Sequence, residues 1–157
     1  MQRIGEINVD DNLVLTNPLT DIDGRRALVL DNMEPGKYVC FATSITDLRG
    51  SRITSVNLVH EKYLISPPAA DFFDSATESA MGIMLAEYYY DNCANFLREH
   101  SKWLDACLRI MKGKKAGMLE GKGVFVMRGY EKDRYGQVQC FVGSGRDGKI
   151  AAVYLEL

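Results

Sequence analysis

The chain has 157 residues, 46% of them apolar and 25% charged, with 19 Lys and Arg against 21 Asp and Glu and a formal charge of −2. That length is about one domain's worth, enough to bury a core without disulfides or a structural metal. The near-even charge argues against a dedicated nucleic-acid binder, which carries a basic excess, and 14 Gly with 4 Pro exclude a fibrous or low-complexity chain.

Taken in chain order, Ile7 and Val9, then Leu13 and Leu15, lie two apart, the strand period. Asp10-Asp11-Asn12 between them is turn chemistry, because short polar side chains bond their own backbone. Ala27 to Leu30 is a short apolar run, and Pro35-Gly36 marks the next turn. Lys37 to Ile45, with Tyr38, Val39, Cys40 and Phe41, has the β-branched and aromatic blend of a pleated surface. Arg52 to Tyr63 predicts another strand, and Pro67-Pro68 ends this block because proline donates no ladder hydrogen bond. Met81 to Tyr90 fits either a buried strand or the first turn of a helix, since a short apolar run has no decisive period. From Asp91 to Lys112, Cys93, Phe96, Leu97, Trp103, Leu104, Cys107, Leu108 and Met111 recur every three or four residues. That stripe predicts one long amphipathic helix over 91–112, capped by Asp91 or Asn92 and ended at Gly113. A connector with Gly117, Gly121 and Gly123 then leads to three strands, Val124 to Met127, Gln137 to Val142 and Lys149 to Leu157, with Asp147-Gly148 as a hairpin turn. The expected fold is one α+β domain over residues 1–157, mainly antiparallel β and sandwich-like.

Glu6, Asn8, Asp10 and Asp11 interrupt any signal-peptide run, and no stretch approaches the roughly 18 apolar residues of a membrane helix. Cys40, Cys93, Cys107 and Cys140 are scattered among apolar neighbours with no Cys-x-x-Cys pair. Four reduced, buried thiols, no metal and no cofactor, and a cytoplasmic location away from membranes are the expectation.

The last third carries Gly129-Tyr130, Asp133, a Tyr135-led strand over Gln137-Val138-Gln139-Cys140-Phe141-Val142, Asp147-Gly148-Lys149-Ile150 and a terminal apolar strand. With Gly5-x-Ile7-x-Val9, Gly36-Lys37-Tyr38-x-Cys40 and Phe73-Asp74-Ser75-Ala76, this pattern resembles the bacterial DUF4241 family, although Glu131-Lys132 stands where that family has a Gly-Asp run. The resemblance implies a fold and brings no activity with it.

Gly143-Ser144-Gly145-Arg146-Asp147-Gly148 has the dinucleotide spacing, but only nine residues follow it and they favour a strand, so it reads as a hairpin. Lys112, Lys114, Lys115 and Lys122 suit a solvated helix end; Lys114 and Lys115 are also the candidates for an anion site built from loop amides and ammonium groups. His60, Asp74 and Ser75, or His60 with Cys40, are the candidates for a hydrolase-like site, without a Gly-x-Ser-x-Gly elbow around Ser75. His100, between Leu97 and Leu104, reads as a packing histidine. Asp71, Asp74 and Glu78 form a small acidic group that fits turns and caps better than a calcium loop. Tyr88, Tyr89 and Tyr90 cannot all face one core, so at least one is expected at the surface, a candidate for partner binding. With no acid, base and nucleophile set standing out, the expected function is non-catalytic binding of a protein partner, of an immunity type, or of a second copy. The rival is a small-molecule binder or small hydrolase with a cleft near His60 and Asp74.

Overall fold

The computed structural model describes residues 1–21, 27–48, 50–78, 80–93, 100–127 and 137–157. Eleven strands form among them: β1 (Gln2–Val9), β2 (Leu13–Thr16), β3 (Leu28–Leu30), β4 (Gly36–Asp47), β5 (Gly50–His60), β6 (Asp71–Thr77), β7 (Ala80–Leu85), β8 (Ala116–Met118), β9 (Gly123–Met127), β10 (Gln137–Ser144) and β11 (Ile150–Glu156). They make two antiparallel sheets, a six-stranded one in the order β1-β4-β5-β11-β10-β6 and a five-stranded one in the order β3-β2-β7-β9-β8.

Alternation along the strands explains the packing. Ile7 and Val9 of β1, Leu58 of β5 and Val153 of β11 meet Leu13, Leu15, Ile83, Val124 and Val126 of the smaller sheet in one core cluster. The intervening residues of the smaller sheet, Val14, Ala80, Met84 and Phe125, point the other way and are buried too. There they meet Trp103 and Cys107 of helix α2 (His100–Lys112), together with Tyr88 and Tyr89. A strand covered on both faces reads as an unbroken apolar run. That is why Ala80 to Leu85 has no visible period, and it resolves the ambiguous segment: 80–85 is strand, followed by a single helical turn α1 (Ala86–Tyr88) and a five-residue π turn Tyr89–Cys93.

The expected long helix over 91–112 is corrected. The described helix is short, 13 residues from His100 to Lys112. Asp91 and Asn92 do not cap it: the Asn92 side-chain amide donates to the Tyr88 carbonyl at 3.0 Å, and the chain there winds as a π turn. Residues 94–99, the side chains of Cys93 and His100, and the Gly129–Tyr135 part of the family-like pattern lie outside the described residues.

Two strands were not legible. β6 arises where the acidic residues suggested turns, and β8 arises inside the Gly-rich connector. The Gly143–Gly148 segment is the β10–β11 hairpin, closed by the Gly145 amide donating to the Lys149 carbonyl at 2.8 Å. Among the described residues no helix is long and apolar enough to cross a membrane.

Candidate functional site

His60 ends β5 and is 1% exposed. The Lys62 amide donates to its Nδ1 at 3.1 Å, so Nδ1 carries no proton and Nε2 donates to the Pro35 carbonyl at 2.9 Å. Tyr38 and Tyr63 meet the ring edge-on at centroid distances of 5.1 and 6.2 Å. Both nitrogens are therefore engaged by backbone, and neither faces Asp74 or Ser75. Those two residues lie on β6, three strands away across β11 and β10. Counting strand spacing and rise, the separation is roughly 20 Å. Asp74 accepts from the Ser75 amide at 2.7 Å, and as strand neighbours their side chains project to opposite faces. The expected His60–Asp74–Ser75 grouping is not assembled.

Gly36 shows how tightly the imidazole is held. Its φ is +136°, and a Cβ there would lie 2.6 Å from His60 Nε2. Gly36→Ala is expected to cost about 2 kcal/mol, from backbone strain and a displaced imidazole. Urea unfolding measures it, and a variant as stable as the parent would refute the packing described for His60.

The three tyrosines divide. Tyr88 and Tyr89 are buried at 5% and 2%, and Tyr90 is 58% exposed. Burial pushes the Tyr88 hydroxyl well above its ordinary pKa, with the Glu120 carboxylate adding to it. The Tyr89 hydroxyl donates to Asp21 Oδ2 at 2.9 Å, and the Thr16 hydroxyl donates to the same oxygen. Tyr88 and Tyr89 therefore serve the core, which leaves Tyr90 as the accessible member of the run.

The acidic trio is also dispersed. Asp71 is exposed at the start of β6, Asp74 is half-buried, and Glu78 accepts from Asn17 Nδ2 at 2.7 Å. Among the described residues no group of three or more His, Cys, Asp or Glu is placed to hold a metal ion. Lys114 and Lys115 follow α2 and line a cleft with Arg52, Ser44 and Ser51 of β4 and β5.

The feature that the sequence did not show lies on the outer face of the larger sheet. Cross-strand register places Phe72 beside Phe141, Phe141 beside Tyr154, Tyr154 beside Asn57, and Asn57 beside Phe41. The Phe72 and Phe141 rings meet edge-on at 5.8 Å. Four aromatic rings thus form one row across five strands. Phe72 is 60% exposed, Phe73 beside it is 39% exposed, and the other three rings of the row are half-buried. On one flank the next row is Val39, Val59, Ala152 and Gly143; on the other it is Thr43, Ser55, Glu156, Gln139 and Ser75. The segment at Pro68 and Ala69 crosses Gly143, where an added Cβ would lie 2.9 Å from the Pro68 side chain, and Tyr154 donates to the Pro68 carbonyl at 2.7 Å. That crossing segment braces one side of the row. The β6 end has no further strand beside it among the described residues. β6 also carries a bulge opposite Cys140 and Phe141, which blunts strand pairing at this edge.

No family model, no curated protein and no solved structure matches the chain.

Proposed function

We propose that this chain is a non-catalytic binding protein that docks a protein partner on the outer face of its six-stranded sheet. The observation that carries the reading is the Phe72–Phe141–Tyr154–Phe41 row, open at its Phe72 end and continued there by Phe73. Aromatic side chains supply large contact area at low entropy cost, and they are enriched at the centre of protein interfaces. Glu156 on the neighbouring row and Asp71 at the start of β6 are both exposed. Neither carboxylate is in an ion pair with another described side chain. The complementary surface is therefore apolar at its centre and rimmed by Arg or Lys, which steers association and fixes orientation.

Native mass spectrometry of the chain purified from its own host, with the bound protein identified by sequence, tests this reading. A stoichiometric partner is expected. Phe72→Ser is expected to weaken it by about 2 kcal/mol, roughly thirtyfold in affinity. Glu156→Lys should weaken it further, and Tyr90→Ala, on the other sheet's side, should leave it unchanged. None of the three should move Tm appreciably, because each side chain is exposed. A chain that carries no protein, or a partner retained by the Phe72→Ser, Glu156→Lys double variant, would overturn the proposal.

The hydrolase reading draws no support from the His60, Asp74 and Ser75 geometry. A small-molecule site is better sought at the opposite end of the sandwich.

A further inference from the structure

β1, the β4–β5 hairpin and the turn after α2 border a cleft of about 240 Å³. Its floor is apolar, made by Ile4, Ala42, Ile53 and Ala116, and its rim carries Arg52, Lys114, Lys115, Ser44 and Ser51. Among the described residues, three cations and no carboxylate line it, in a chain whose acidic residues outnumber its basic ones. Lys114 and Lys115 make no ion pair with any described carboxylate.

The backbone positions this rim deliberately. β4 and β5 slip register between Thr43 and Ser44, so Thr54 is bulged and Ser44 comes opposite Ile53. A bulge re-aims side chains in this way, here at the mouth of the sandwich. On the other wall, the amides of Gly113 and Lys115 both donate to the Ile110 carbonyl, at 3.1 and 3.2 Å. The end of α2 is thereby closed by backbone, and the two ammonium groups are not needed to cap it. Lys115 itself sits at φ +64°, a left-handed conformation that glycine adopts more cheaply.

We infer that this cleft binds a small organic phosphate, with Lys114 and Lys115 on the phosphate and the apolar floor under the organic body. Two ammonium groups and the Ser44 hydroxyl offer donors to a compact dianion, while the Ser51 hydroxyl is shared with Thr46 Oγ1 at 2.8 Å. The volume lies below the ~300–1,000 Å³ of common ligand pockets, so the body is small, of triose size and not a nucleotide.

The test is an amide NMR titration of the full chain with glycerol 3-phosphate, inorganic phosphate and glycerol, at ionic strength held constant with NaCl. Saturable shifts are expected at Gly113–Ala116, Ser44 and Ser51–Ile53 with glycerol 3-phosphate, weaker ones with inorganic phosphate, and none with glycerol. Lys115→Gly removes the ammonium while relieving the backbone. It should lower affinity for glycerol 3-phosphate about tenfold with Tm unchanged or raised. Lys114→Ala should lower affinity in the same direction. Equal affinity for inorganic phosphate and the ester would remove the role of the floor. Unchanged affinity in Lys115→Gly, or shifts that chloride reproduces, would overturn the site altogether.

Discussion

Asp21→Ala is expected to lower the unfolding free energy by about 4 kcal/mol, a fall in Tm on the order of 10 °C for a chain of this size. The Asp21 carboxylate is fully buried, and the hydroxyls of Thr16 and Tyr89 both donate to its Oδ2. Hydrogen bonds to a charged acceptor contribute about 1.5–3 kcal/mol each, and deleting the acceptor strands two donors away from water. The location amplifies the loss. Thr16 ends β2, whereas Tyr89 begins the π turn after β7, whose last residue Leu85 pairs with Leu13 at the other end of β2; the carboxylate therefore ties the end of β2 to a turn packed over the outer face of the smaller sheet. The loop itself is held by Asn17, whose carbonyl accepts from the Asp21 amide at 2.9 Å and whose side chain accepts from the Leu19 amide at 3.0 Å. Asp21→Asn keeps an oxygen acceptor and should cost about half as much, and Tyr89→Phe about 1.5 kcal/mol. Equilibrium urea unfolding ranks the three. An Asp21→Ala chain within 1 kcal/mol of the parent would mean that these hydroxyls find other acceptors and that the brace is not one.

The fold was legible where one face of a strand is wet. β1, β4, β5, β10 and β11 alternate or carry aromatic and β-branched runs, and the sequence placed each within a few residues. It became ambiguous at β7 because helix α2 covers the outer face of the smaller sheet, erasing the polar half of the alternation. The helix was overextended for a related reason. An apolar spacing of three or four continues upstream of His100, but periodicity does not register the Asn92-to-Tyr88 hydrogen bond that accompanies a π turn. β6 escaped because Asp71, Asp74 and Ser75 look like turn residues; an edge strand tolerates them, since one side of it meets water.

The site was less legible, for a reason of register. Phe41, Phe72, Phe141 and Tyr154 are scattered in the sequence, and only the pairing of five strands brings them into one row. A contiguous run such as Tyr88-Tyr89-Tyr90 attracts attention because it is visible without a fold, yet two of its rings are buried. The His60 signal misled in the same way. A histidine beside a glutamate at a strand end looks available until the Lys62 amide and the Pro35 carbonyl are seen to occupy its two nitrogens. Lys114 and Lys115 were visible as a charged loop. Arg52, Ser44 and Ser51 join them only through the β4–β5 hairpin, more than sixty positions earlier in the chain.

Above pH 9 the fold is expected to lose stability steeply. Cys40, Cys107 and Cys140 are free and buried, and burial pushes each thiol from an ordinary value of 9.0 up to about 12. The Glu6 carboxylate adds to the effect at Cys40, against an opposing contribution from Arg3, and the Asp74 carboxylate adds to it at Cys140. The unfolded chain releases these protons near pH 9, while the folded chain holds them until about pH 12. Between those values the native state binds more protons than the unfolded one, so stability is whole below pH 9 and falls as pH rises. Each thiol contributes a slope approaching about 1.4 kcal/mol per pH unit, and the three together about 4. Tyr38 and Tyr88, also pushed up by burial, steepen the fall above pH 10. Urea unfolding at pH 8, 9 and 10 under reductant measures the slope, and Cys107→Ala should remove about 1 kcal/mol of the fall between pH 9 and pH 10. A profile flat to pH 10 would mean that the thiols ionise without unfolding the chain. Cys40 itself is fully buried in the core between the sheets, and both His60 nitrogens are engaged by backbone groups.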